Sequence, residues 1–262
     1  MKDFLRREWS ETLSLNGLND FDTLWNLEVP WFEPPNQRRG GWSGVSRCEV
    51  VAPSGEKFGL FLKRQENHKT FSWRHPIKGI PTFLREFQRI VQYQACEIPA
   101  LEPVYFAMRT TGNGHQAILM TEELSGFSSL ENHVQSWLKS GVPPPKQRRN
   151  IVAAVAHLTR RIHKCRIQHN CYYPKHIFVR VNPDASADVR VIDLEKSRWR
   201  PFSLFCTLRD LDTLNRHSPT WSRSDRLRFF KTYLRMERLT PFARWLWRRL
   251  AARSISKHGT RS

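Results

Sequence analysis

The sequence predicts an α+β chain of two parts, a small, mainly antiparallel sheet lobe followed by a larger, mainly helical one. Three observations predict it. Short β-type runs separated by turn residues fill the first half, with one helical stretch among them. Helical spacing of apolar residues dominates the second half. The two patterns change over near residue 124 of 262, at the polar link Thr121-Glu122-Glu123-Leu124-Ser125-Gly126.

In chain order, residues 1–37 alternate acidic and aromatic residues and read as an N-terminal extension with a short helix over Asp20–Asn26. Glu33-Pro34-Pro35-Asn36 reads as a turn that stops it. Residues 38–122 form the sheet-rich lobe: Val45–Val51 and Lys57–Lys63 around Pro53-Ser54-Gly55, and Val104–Met108 and Gln116–Thr121 around Thr110-Thr111-Gly112-Asn113-Gly114. Between these hairpins Phe83, Leu84, Phe87, Ile90 and Val91 recur at helical steps from Pro81. Residues 123–255 form the helical lobe. Ser128 and Glu131 suit a capping box for a helix through Leu138, and Ile151, Val155, Leu158 and Ile162 line one face of a helix over Lys146–Lys164. Further helices are expected over Phe202–Arg216, after Ser222 with Asp225, and after Thr240-Pro241. Residues 256–262 read as a basic tail.

Lys and Arg number 43 against 24 Asp and Glu, a formal charge of +19. Such a field attracts polyanions: nucleic acid, anionic lipid or phosphorylated glycan. Five scattered cysteines with no CxxC suit reduced thiols in the cytoplasm. No stretch has the length and apolarity of a membrane span, and early charge argues against a signal peptide, so the expectation is a soluble or at most peripheral protein.

The chemistry concentrates between His163 and Glu195. His169-Asn170-Cys171-Tyr172-Tyr173-Pro174-Lys175-His176 follows a helix, two short apolar strands come next, and Asp193 ends the second. That outline is the catalytic loop and metal-binding strand of a kinase-like phosphotransferase. Phosphoryl transfer needs cations on the nucleotide phosphates, a carboxylate for the metal, and a group that orients the attacking hydroxyl. Lys63 ends the strand Phe58–Leu62, and Glu86 on the following helix is placed to pair with it. A solvated lysine and a surface salt bridge are the plainer alternatives. Asp193, at a strand end, suits a metal site, or else a turn in which it accepts backbone N–H bonds. Gly41 and Gly44 are compatible with a phosphate-approaching loop, although their spacing is not GxGxxG. Glu122 joins the nucleotide-binding candidates. His163, Cys165, His169, Cys171 and His176 are all zinc-ligand types, yet they lack the C-x₂-C or H-x₃-H spacing of a zinc site.

Residues 41–231 resemble the lipopolysaccharide kinase (Kdo/WaaP) family, and within it the InaA-type branch. The match is carried by Gly41-Trp42-Ser43-Gly44-Val45-Ser46-Arg47, Lys63, Glu86, the run Gln168–Val179 and Ile192-Asp193-Leu194-Glu195. The resemblance implies a protein-kinase-like fold using ATP and Mg²⁺. It implies Lys63 on the phosphates with Glu86 as partner, Asp193 on the metal, and His176 at the second metal position. The implied acceptor is a sugar hydroxyl of an anionic glycolipid, the lipopolysaccharide core, reached from the cytoplasm by peripheral contact with the inner membrane. One position departs from the pattern: Cys171 stands where the family's enzymes carry an Asp. A thiol is mostly protonated near neutrality and binds Mg²⁺ badly. His169 or His176 then becomes the candidate proton acceptor. The alternative is a pseudokinase that binds nucleotide or partners without chemistry. Nucleic-acid binding is the more distant reading, since it rests on charge alone. A last helix bearing Trp245, Trp247, Arg244, Arg248, Arg249 and Arg253 suits a membrane interface, or simply the end of the lobe burying its tryptophans.

Overall fold

The computed structural model describes residues 3–38, 40–72, 75–112 and 114–256, so the expected tail from residue 257, and Asn113 in its turn, lie outside the described residues. The chain forms two compact units, Met1–Gln92 with Leu101–Ser125, and Tyr93–Ala100 with Gly126–Ser262.

The first unit is built on a six-stranded antiparallel sheet. Its elements are β1 (Phe4–Leu5), α1 (Ser10–Leu15), α2 (Phe21–Asn26), β2 (Trp31–Arg38), β3 (Gly41–Val51), β4 (Lys57–Glu66), the small hairpin β5 (Lys69–Ser72) and β6 (His75–Pro81), α3 (Thr82–Ala95), β7 (Pro103–Thr111) and β8 (Gly114–Glu122). The main sheet runs β1-β7-β8-β4-β3-β2. The two-residue period of β4 sends Leu60 and Leu62 to one face and Lys63 to the other. Val104-Tyr105-Phe106-Ala107 in β7 is buried on both faces, so both faces of the sheet need cover. On one face α1, α2 and the turn between them supply Leu13, Leu18, Phe21 and Leu24 to a core with Val50, Leu60, Leu62, Tyr105, Ile118 and Met120. On the other, Phe87 of α3 stacks on Phe106 at 4.4 Å.

Two expectations are corrected here. Residues 1–37 are no extension: they furnish both edge strands and half of the core cover. Glu33-Pro34-Pro35-Asn36 lies within β2 rather than ending an element. An edge strand tolerates proline because its outer N–H row pairs with nothing, and β2 breaks register on either side of Glu33 as it passes the two prolines.

The second unit holds β9 (Ser128–Ser129), α4 (Leu130–Ser140), α5 (Pro145–Lys164), β10 (Ile167–Gln168), β11 (Ile177–Val181), β12 (Ala187–Val191), β13 (Arg198–Trp199), α6 (Ser203–Arg216), α7 (Arg223–Leu234) and α8 (Pro241–Ser256). In α5 the expected face of Ile151, Val155, Leu158 and Ile162 is buried. The cap of α4 falls one residue later than expected. Ser129, the last residue of β9, accepts from Asn132 N–H, while Ser128 pairs opposite Val179. The Ser222–Asp225 capping box opens α7, and Thr240 accepts from Ala243 N–H at the start of α8. β11 and β12 form a hairpin that brings Ile177 opposite Val191, two residues before Asp193.

Candidate active site

In the sheet unit, Lys63 leaves the face of β4 opposite the Leu60–Leu62 core and meets Glu86 of α3. Its Nζ donates to Oε1 at 2.6 Å, with the carboxylate almost wholly buried. A pair this short and this desolvated fixes the ammonium in one place. The candidate glycines sit inside β3 instead of in an open loop. A Cβ on Gly41 would lie 2.0 Å from the Glu66 carbonyl oxygen, and one on Gly44 would lie 2.7 Å from the Trp31 ring. Close packing therefore accounts for both, with Gly44 paired to Arg64 in the ladder and Gly41 to Arg38. Glu122 is also occupied, accepting from Arg6 at 2.8 Å and from the Trp9 indole at 2.9 Å. Its carboxylate ties the first residues of the chain to β8.

In the helical unit the loop from His169 is held by Asp210, a residue the sequence reading did not single out. Asp210 is fully buried in α6 and accepts from the backbone N–H of His169 at 2.7 Å and of Asn170 at 3.0 Å. The His163 ring, 3.2 Å away, completes its shell. A signal was present: Asp210 falls on the buried stripe of Cys206, Leu211 and Leu214, where an acid without partners would be costly. Asn170 takes the left-handed conformation, φ 64°, and its side chain donates to the Lys196 carbonyl at 2.8 Å.

The four candidate side chains of this unit divide by what their atoms already do. His169 is buried with both ring nitrogens engaged. Nε2–H donates to the Ile192 carbonyl at 3.1 Å, which leaves Nδ1 to accept from Cys171 N–H at 3.3 Å. Burial lowers its pKa, against the opposing pull of Asp210, so the ring stays neutral and braces the loop against the residue before Asp193. Cys171 is buried and its thiol faces Asp193 and Lys196. Desolvation, reinforced by the Asp193 carboxylate, pushes it up to about 11, so it is a thiol rather than a thiolate at neutral pH. His176 Nδ1 donates to the Cys171 carbonyl at 2.9 Å, since a carbonyl only accepts. In the neutral ring the lone pair then lies on Nε2. The same Nδ1 is 3.4 Å from Asp193 Oδ2. Asp193 has a left-handed backbone, φ 58° and ψ 56°, and its side chain is 32% exposed.

Asp193 and His176 thus offer one carboxylate and one imidazole lone pair. Among the described residues no group of three or more His, Cys, Asp or Glu converges to hold a metal. That donor set is sparse for zinc; the Asp193 carboxylate suits Mg²⁺, which keeps waters and substrate phosphates in most of its coordination sphere, whereas an imidazole is the poorer donor for it. The five cysteines are free thiols.

The profile of the lipopolysaccharide kinase (Kdo/WaaP) family matches residues 22–233. The chain is 32% identical over 185 residues to Protein InaA of Escherichia coli, covering 70% of this chain and 80% of InaA. It is 28% identical over 238 residues to the lipopolysaccharide core heptose(I) kinase WaaP of Pseudomonas aeruginosa, covering 82% and 84%. The solved structure of WaaP in complex with acyl carrier protein superposes with a TM-score of 0.70 at 24% identity, over 100% of both chains. Likeness at that identity speaks for the fold. No helix among the described residues is long and apolar enough to cross a membrane.

Proposed function

The chain belongs to the lipopolysaccharide kinase (Kdo/WaaP) family, in its InaA-type branch and with its protein-kinase-like fold, and from that premise we propose that it is an ATP- and Mg²⁺-dependent phosphotransferase acting on a sugar hydroxyl of the lipopolysaccharide core. The observation that carries the reading is Asp193 beside His176 on a loop pinned by Asp210. In this reading Lys63, steadied by Glu86, holds the nucleotide phosphates, and Asp193 with the Nε2 of His176 holds the metal. ATP–Mg²⁺, when bound, supplies the phosphoryl group and neutralises charge that develops on it. The reading assigns no role to Gly41, Gly44 and Glu122, since close packing and ion pairing give a sufficient reason for them.

The hydroxyl-orienting position is the weak point. Cys171 keeps its proton and is no base, and His169 has no free nitrogen. With His176 on the metal, no side chain of the loop abstracts the proton. A loose transition state needs little abstraction before the new bond forms, so transfer proceeds more slowly by part of the roughly 10²–10⁴ that general-base catalysis supplies. The acceptor follows from the likeness to WaaP and from the +19 charge, which suits an anionic glycolipid reached by peripheral contact at the cytoplasmic face of the inner membrane. A protein partner of the kind seen with WaaP, acyl carrier protein, is the second partner class to test.

Cys171 also favours one second reading, a pseudokinase that binds nucleotide without transfer. The deciding experiment follows labelled phosphate from ATP to purified core oligosaccharide. Transfer by the natural chain, reduced at least about 10²-fold in Asp193→Ala, supports the kinase. Nucleotide binding with no transfer selects the pseudokinase. Absence of ATP–Mg²⁺ binding at millimolar nucleotide overturns both.

A further inference from the structure

The segment after Asp193 carries an exposed apolar surface that the phosphoryl-transfer chemistry does not use. Trp199 is 54% exposed, Phe202 66% and Phe205 52%, and Leu204 joins them on the first turn of α6. Phe202 and Phe205 face each other edge to face at 6.0 Å. Side chains of this size seldom stand together in water without a partner. Residues 196–209 also include Lys196, Arg198, Arg200 and Arg209 and no Asp or Glu. Arg198 and Arg209 are exposed, while Arg200 is turned inward to Gln168.

This surface is joined to the catalytic loop by backbone bonds. β13 pairs with β10, placing Trp199 opposite Ile167 and Arg198 opposite Gln168, the residue before His169. Arg200 N–H donates to the Arg166 carbonyl at 2.8 Å, and the Lys196 carbonyl accepts from Asn170. Whatever covers Trp199–Phe205 is therefore set at a fixed place relative to the loop that bears His169 and Cys171.

We propose that the Trp199–Phe205 surface docks on an anionic lipid bilayer, its aromatic rings entering the headgroup boundary and Arg198 and Arg209 meeting lipid phosphates. Charge complementarity selects that occupant: the cations of residues 196–209, with no acid among them, disfavour another copy of this basic chain and match an anionic leaflet. Tryptophan and phenylalanine beside arginine are side chains that such a boundary favours. The inference deepens the proposed function, since a lipid-linked acceptor lies in that leaflet, but the docking itself needs neither nucleotide nor transfer.

The test is cosedimentation of the full chain with vesicles of equimolar phosphatidylcholine and phosphatidylglycerol, and with vesicles of phosphatidylcholine alone. The natural chain should bind the anionic vesicles at least about tenfold more tightly than the neutral ones. Trp199→Ser/Phe202→Ser/Phe205→Ser should lose at least about tenfold of that binding, with its circular dichroism, melting temperature and ATP–Mg²⁺ binding unchanged. Arg198→Gln/Arg209→Gln should weaken binding and flatten its salt dependence. The competing surface is the outer face of α8, where Phe242 and Trp245 stack. Loss in Phe242→Ser/Trp245→Ser with none in the triple variant overturns the proposal. So does equal binding by the triple variant and the natural chain, or self-association of the natural chain that the triple variant abolishes. Nucleotide binding, measured separately, reports on the kinase reading, so failure of one leaves the other standing.

Discussion

The two units fix their charged groups by different means. In the sheet unit one side chain holds another: Lys63 is positioned by Glu86, and either substitution undoes the pair. In the helical unit a side chain holds backbone: Asp210 grips the N–H groups of His169 and Asn170, a hold that does not pass through the side chain at residue 171. The difference explains how Cys171 can occupy a position where the resemblance to the family leads one to expect an acid. The loop's shape and the loop's chemistry are specified by different residues, so one can change while the other persists.

Breaking the anchor tests this most severely. Asp210→Ala leaves two buried N–H groups and His163 without their acceptor and should cost roughly 3–5 kcal/mol of stability in chemical denaturation. A loss under about 1 kcal/mol would mean the loop is held elsewhere. Restoring the chemistry comes next: Cys171→Asp should keep the loop's path in a crystal structure and raise phosphate transfer about 10²-fold. An unchanged rate would show that the missing base does not limit the reaction. In the sheet unit, Glu86→Gln removes one charge but keeps a hydrogen-bond acceptor. It should raise the apparent KM for ATP roughly tenfold with a smaller effect on kcat. A change confined to kcat would place Lys63 away from nucleotide binding.

The smallest effect is a pH dependence. Burial lowers the pKa of His169, so the unfolded chain takes up a proton that the folded chain refuses. The stability this residue contributes is present above the ordinary histidine value near 6.5 and is lost as pH falls toward the lowered folded value. Over that window the slope approaches about 1.4 kcal/mol per pH unit. In His169→Gln the stability curve measured by urea titration should be flatter by that amount, and an unaltered slope would show that the ring is not held neutral.

Local patterns were legible in the sequence. The helical step of Ile151, Val155, Leu158 and Ile162, the hairpin turn at Pro53-Ser54-Gly55 and the strand that stops two residues before Asp193 are each contained in a few consecutive residues. Lys63 and Glu86, 23 residues apart, were also recognisable as a pair, because strand and helix periods each assign a face. Residues 1–37 were not. β1 is two residues long and owes its existence to β7, and β2 is an edge strand whose prolines imitate a turn. Nor was Asp210, whose role lies in backbone groups 40 and 41 residues upstream. The glycines misled for a related reason: what Gly41 and Gly44 must avoid is the backbone after β4 and the Trp31 ring, which no spacing rule reveals.

The pairing of β1 carries a consequence for biosynthesis. Arg6 meets Glu122 across 116 residues of chain. The strand partner of β1 is β7, about 100 residues further on, so at roughly 5–20 residues per second the first strand leaves the ribosome about 5–20 s before that partner exists. During that interval Phe4 and Leu5 have no sheet to join, and β7, once made, offers a bare edge until they arrive. A bulky fusion placed ahead of residue 3 would therefore act during synthesis, by delaying closure of that edge, and its first symptom would be aggregation of nascent chains while the finished protein kept its fold.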